Sequence, residues 1–282
     1  MKNRHGLFAP LLLLTATLAC VLPGQSPASV PQPTPDTRLG TMVAETVSAA
    51  IELTQQAVPT EIPPPTATPE PTATPTTEAS GAGSILAVQD DGSTLFTDEN
   101  AGYRITIPAG WLAVRVNEKE YFDALLLPQA ADEHIQAALQ SIQNQDPKTF
   151  RLLVVDILDG HVQNDIVTNV NFIWEPQKTF SLDDDEDLEA LADELPSTVD
   201  GLTVKSTGFV ILPSGVMHGE VQSEIGRKNA LGEEVLLYQK MTIFNLKTGT
   251  LVVTFTTDAW FSETTLPIFN GMLETLLIDK EE

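Results

Sequence analysis

Residues Gly102–Trp111, GYRITIPAGW, decide how the fold is read. Tyr103, Ile105 and Ile107 alternate with Arg104 and Thr106, the period of two that turns one face of a strand toward a core. Pro108 fixes one φ angle and Gly110 admits a positive one, so Pro108-Ala109-Gly110 suits a short hairpin loop. Trp111 then opens a returning strand, WLAVRV. The stretch starts a fold and carries no reactive group.

Working outward, Ile85 to Val88 and Thr94 to Thr97 read as strands around an Asp91-Gly92 turn. After the hairpin, Asn117 with Glu120 three residues on resembles a capping box, with Phe122, Leu125 and Leu126 on one helical face up to Pro128. Asp132 and Glu133 open a helix whose stripe is Ile135, Ala138, Leu139 and Ile142, closed by Asp146-Pro147. Phe150 to Leu158, FRLLVVDIL, is nearly continuous apolar sequence, as expected of a strand covered on both faces. In the next run, Ile166 to Trp174, Asn169 and Asn171 alternate and so point to one side. Leu202 to Leu212 and Val216 to Ile225 flank a Pro213-Ser214-Gly215 turn, and Glu234 to Phe244 pairs with Thr250 to Thr257. In the latter hairpin Leu251, Val253 and Phe255 oppose Thr254 and Thr256, giving one buried side. A final helix from about Leu266 sets Leu266, Phe269, Leu273, Leu276 and Leu277 on one face, with Pro267 tolerable only in its first turn.

The chain upstream reads differently. Lys2, Arg4 and His5 precede LFAPLLLLTATLA and Cys20, an apolar run too short to span a membrane and flanked as an export signal is. The ending TLAC resembles the lipobox of bacterial lipoproteins, which implies that Cys20 is acylated and becomes the mature N-terminus on the outer face of the cell membrane. Ordinary cleavage and secretion is the alternative. Twelve of the 20 prolines lie between Pro23 and Pro75, in a Pro/Thr/Ala-rich segment with too little apolar surface to offset its ordering entropy. As an extended spacer it reaches at most about 190 Å. Leu39, Val43, Val47, Ile51 and Val58 interrupt it at helical spacing. The expected organisation is thus a signal over 1–20, a disordered stalk over 21–83 and one globular domain over 84–282.

Of the 282 residues, 39 are acidic and 15 basic, a formal charge of −24. Nucleic acid and anionic lipid are disfavoured partners, because both are bound through basic side chains. A single cysteine excludes an intrachain disulfide framework, so cohesion falls to the apolar core.

Ser181 to Pro196, SLDDDEDLEALADELP, carries eight acids from Asp183 to Glu194. Asp183, Asp185, Asp187 and Glu194 match positions 1, 3, 5 and 12 of a calcium loop, but Leu188 stands where the turn needs glycine. Leu188, Leu191 and Leu195 form a helical stripe instead, and Ser181 can cap the first turn. An acidic amphipathic helix is the preferred reading.

Hairpin, helices, long strands, a helix, more hairpins and a closing helix give an α+β domain: a mostly antiparallel sheet with helices packed on it in an α/β/α-like layered sandwich. In YRITIPAGW, in the apolar strand before the acidic helix, and in TLVVTFTTD followed by TLPIFNGMLETLLI, the chain resembles the PsbP-like superfamily, which includes LpqN-type lipoproteins. The resemblance implies a non-catalytic accessory or assembly factor tethered outside the cytoplasmic membrane, with a protein partner.

A search for chemistry finds no GxSxG elbow, P-loop, dinucleotide-binding glycine pattern or HExxH. Neither metal nor cofactor is expected, and no catalytic residue. Asp156, His161, Asn169 and Asn171 form the candidate ligand-binding cluster: paired strands would set the asparagines beside the His161 loop. Two alternatives stay open, a surface hydrolase using carboxylates or Ser214 and a calcium-responsive structural protein.

Overall fold

The computed structural model describes residues 83–177, 179–182, 186–229 and 231–279, together with the backbone of a two-residue strand at Glu78–Ala79. The signal, Cys20, most of the stalk and the Leu39–Val58 segment lie outside the described residues, as do Asp183 and Asp185.

Among the described residues, twelve strands form two antiparallel sheets. The smaller one contains β1 (Glu78–Ala79), β2 (Ser84–Val88), β3 (Thr94–Asp98), β4 (Tyr103–Ile107) and, paired to β4, β12 (Leu277–Ile278). The larger one runs in the order β5 (Trp111–Val114), β6 (Phe150–Asp156), β7 (Asn169–Pro176), β11 (Gly249–Asp258), β10 (Glu234–Leu246), β9 (Met217–Lys228) and β8 (Leu202–Ile211). Among the described residues, four α-helices join them: α1 (Lys119–Ala124), α2 (Glu133–Ser141), α3 (Glu186–Thr198) and α4 (Ser262–Glu274). The α+β class and the antiparallel pairing agree with the sequence.

Gly102–Trp111 does form strand, corner and strand, but the corner is not a hairpin. β4 pairs with β3 and β12, whereas β5 pairs with β6. Trp111 N donates to Pro108 O, and Gly110, at φ +85°, turns the chain from one sheet into the other. The physical reason is burial. Tyr103, Ile105, Ile107, Trp111 and Ala113 all enter one core, and a flat hairpin cannot send both strands' apolar sides into the space between two stacked sheets.

That central core lies between the sheets, where Leu152, Val154, Val170, Phe172, Val253 and Phe255 meet the small sheet together with Phe269, Met272 and Leu273 of α4. Tyr103 joins the layers, tilted against Phe96 and stacked on Phe172. The large sheet's other face is covered in two patches. Tyr121, Ala124, Ile135 and Leu139 of α1 and α2 lie over Val114, Leu153 and Val155. Leu188, Leu191 and Leu195 of α3 lie over Val221, Ile225, Leu237 and Met241.

Several local expectations are corrected. Glu120 does not close a capping box; its carboxylate goes to the buried Arg115 guanidinium, and Phe122 and Leu126 are exposed while Tyr121 and Ala124 are buried. The Thr254 and Thr256 side of β11 is buried like its apolar side, because β11 is a central strand of seven. α4 starts at Ser262, so Pro267 sits beyond its first turn, and α3 runs through Pro196 to Thr198. Leu277 belongs to β12, not to the helix. From Asp187 to Glu194 the chain is helical, which removes the second half of the calcium-loop alternative.

Candidate functional site

β6 and β11 both end in an aspartate at the same end of the large sheet, Asp156 and Asp258. The β6–β7 connection folds back over this end. Within it, Gln163 and Ile166 exchange two backbone hydrogen bonds across Asn164 and Asp165, both at positive φ. This is the two-residue turn that Asn and Asp tolerate best among residues with a Cβ. It brings His161 against Asp156: Nδ1 lies 2.6 Å from Oδ2, and Oδ1 accepts from Leu158 N at 3.1 Å.

Asp156 is 1% exposed and the His161 side chain 24%. The Nδ1–Asp156 contact leaves Nε2 as the ring nitrogen outside this pair. The His161 and Phe261 rings meet in a T-shaped contact, 5.0 Å between centroids.

Asp258 completes the frame. Its Oδ2 accepts from Asn164 Nδ2 at 2.9 Å and its Oδ1 from Trp260 N at 2.9 Å. Behind it, the hydroxyls of Thr168 and Thr257 lie 2.7 Å apart, and Thr265 donates to Thr257 at 3.3 Å. The Trp260 indole, 90% exposed, stands outward from this braced turn. Sequence reading found Asp156 and His161 and missed Asn164, Asp258, Trp260 and Phe261. The available signal was an acid closing a strand two residues before a tryptophan, DAWF.

The asparagines are elsewhere, which corrects the expected cluster. Asp156 is opposite Trp111, on the face toward the central core, whereas Asn169 and Asn171 are opposite Val155 and Leu153 on the helix-covered face. There Asn169 Nδ2 donates to Val167 O and Asn171 Nδ2 to Asn169 Oδ1. Strand pairing does place the two runs side by side, but a one-residue difference in parity puts the asparagines through the sheet from His161. They continue into a buried polar rung, Asn169, Thr256, Gln239 and Ser223.

Ser214 is likewise remote from His161. It lies in the β8–β9 turn, at the end of the sheet opposite to the one where β6 closes at Asp156. From Ser223, on the Asn169 rung, to Met217 at that turn is roughly 20 Å along the strand.

A second polar cluster lies on the core-side face. Glu220 Oε1 is 2.9 Å from His218 Nε2 and 2.7 Å from Lys240 Nζ, which also donates to Asn270 Oδ1 of α4. Burial pushes the Glu220 carboxyl up, but the hydrogen bonds and charges of His218 and Lys240 outweigh it and hold the group below its ordinary value. Burial, then the Glu220 charge, raises the Tyr238 phenol. Glu220 thus serves both His218 and Lys240, as in a structural pairing. Among the described residues, no group of three or more His, Cys, Asp or Glu is placed to hold a metal ion. Nor is any helix among them long and apolar enough to cross a membrane.

No protein-family model matches the chain, and no curated protein matches it. Similar solved structures include cyanobacterial PsbP (CyanoP) from Synechocystis sp. PCC 6803, 12% identical, TM-score 0.40, over 68% of this chain and 95% of that one. LpqN of Mycobacterium tuberculosis, described as involved in cell envelope biogenesis, is 11% identical, TM-score 0.40, over 67% and 91%. The Ran-binding protein Mog1p of Saccharomyces cerevisiae is 8% identical, TM-score 0.36, over 66% and 95%. At these TM-scores the likeness carries no argument about family or role.

Proposed function

We propose that the chain is a lipid-anchored, extracytoplasmic, non-catalytic binding or accessory module that meets a protein partner through the Asp156/Asp258 end of its large sheet. One observation carries the reading: a frame of buried aspartates holds Trp260 and the His161 imidazole at the surface, with the indole 90% exposed. A large rigid aromatic is the side chain that contributes most to an interface and the one most costly to leave in water. The anchoring half of the reading is supported by TLAC and the Pro/Thr-rich stretch behind it.

The test is a photo-crosslinking amino acid at position 260 of the full chain in intact cells, with position 214 at the far end of the sheet as control. Crosslinked product from 260 and none from 214 is expected, and equal products from both would remove the assigned face. Cys20→Ala is expected to shift the protein from the membrane fraction to the medium. Turnover of ester, peptide or glycoside substrates by the purified protein, lost in Asp156→Asn, would replace the non-catalytic reading with a hydrolase.

A further inference from the structure

β8 leaves one edge of the large sheet open. It stands last in the strand order and, among the described residues, pairs only with β9. Thr203, Lys205, Ser206, Thr207, Val210 and Ile211 are exposed, Ile211 at 67%. An edge strand presents unpaired N–H and C=O groups, which proteins shield with charge, proline or a bulge. Here a bulge falls at Lys205, and residues 206–211 beyond it, STGFVI, contain no charge and no proline. Gly208, within that bare stretch, answers no need of the chain's own fold. Its φ is not in the left-handed region, and an added Cβ would meet nothing within 4 Å. A glycine inside a strand often marks a place where another backbone comes close.

Charge selects the occupant. The chain carries 39 acids, yet residues 201–219 hold none. A basic segment laid along β8 finds no acid on that strand. Across the register, Glu220 and Glu224 are already held by Lys240 and Lys205, at 2.7 and 2.5 Å. An acidic segment is repelled by the net charge of −24. An uncharged strand with β-branched and aromatic side chains fits, and β8 is itself such a strand. Two copies of one edge meet antiparallel about a two-fold axis, and facing residues share a face of the sheet, so one residue must lie opposite itself. With Gly208 in that place, Thr207 faces the partner's Phe209 and Ser206 the partner's Val210, while the bulge at Lys205 ends the ladder.

We infer that β8 is a self-association edge, pairing with β8 of a second copy about Gly208; the inference is independent of the Trp260 face. A ladder over residues 206–210 is shorter than a standard interface, so the dimer is weak, with a dissociation constant on the order of 10–100 µM. Both copies are acidic, so raising salt tightens it.

The test is sedimentation equilibrium of the purified full chain from about 5 to 500 µM, with single-cysteine variants in a Cys20→Ser background. A monomer–dimer equilibrium is expected, at least tenfold weaker in Val210→Lys, although the added positive charge reduces the general repulsion. Under mild oxidation Gly208→Cys is expected to form a disulfide dimer. Ser206→Cys and Val210→Cys alone are not, because each would sit about 14 Å from its own copy, but a mixture of those two is. A dimer unaffected by Val210→Lys, or crosslinked equally at 206 and 208, overturns the inference by placing the contact elsewhere. A chain that stays monomeric at 500 µM also overturns it. Resistance of the Gly208→Cys thiol to alkylation in that monomer would assign the edge to a segment of the same chain.

Discussion

Arg151 is a buried cation near the start of the mostly apolar strand β6, and its placement shows how single side chains hold the two sheets together. The register of β6 on β7 slips between Phe150 and Leu152, leaving Arg151 as the extra residue of a bulge. Its guanidinium reaches across to Asp98 of β3, with Nε to Oδ2 at 2.6 Å and Nη2 to Oδ1 at 3.0 Å, the side chains 2% and 0% exposed. Asp98 also accepts from Asn100 N and Ala101 N. Removing one partner strands a buried charge, so Asp98→Ala is expected to lower stability by about 3–5 kcal/mol in chemical denaturation. A loss below about 1 kcal/mol would mean that water reaches Arg151.

Glu220 gives a prediction about pH. Its folded carboxyl titrates below its ordinary value of 4.5. A depressed carboxyl contributes stability that is fully present above the unfolded value and is lost as pH falls through the folded one. Stability should therefore decline below about pH 4.5, and Glu220→Gln should flatten that part of the curve while lowering stability at neutral pH. An unchanged acid limb in Glu220→Gln would assign the decline to other carboxylates.

Among the elements, the β4–β5 corner separates what pattern shows from what pairing decides. Tyr103–Ile107 and Trp111–Val114 are legible as strands from alternation alone. Pro108 and Gly110 announce a turn, but local chemistry does not say whether the second strand pairs with the first or leaves for another sheet. The corner needs Gly110 on two counts. Its φ is +85°, and a Cβ there would lie 2.8 Å from Leu158 Cδ2. Gly110→Ala is expected to cost about 1–2 kcal/mol, measured by thermal denaturation. Adding Leu158→Ala should relieve the steric part and leave the backbone part, and a neutral Gly110→Ala would show that the corner relaxes. The same logic covers α1. Asn117 and Glu120 have the spacing of a capping box, yet Arg115, buried beside them, holds the Glu120 carboxylate and donates to Ser84 O of β2 at 2.6 Å. The Arg115 guanidinium, five residues away, outcompetes the helix end because a buried guanidinium left unpaired costs more than an uncapped helix end.

At the scale of the molecule, the cores hold the sheets against a surface charge that opposes compaction. With a net charge of −24, raising NaCl from about 0.02 to 0.5 M should raise Tm by a few degrees as self-repulsion is screened; a flat or falling Tm would show the carboxylates locally compensated. The amino-acid order alone determined the antiparallel α+β class, most strands, the stripes of α2 and α3, and the proximity of His161 to Asp156, because these follow from alternation, helical spacing and short-range turns. Only the tertiary structure decided that there are two sheets, that β11 is buried on both faces, and that Asn169 and Asn171 lie through the sheet from His161. It also decided that Asp258 and Trp260, some 100 positions further along the chain, complete the site. The physical reason is that strand parity and strand order depend on partners distant in sequence, and no local pattern records which partner a strand will take.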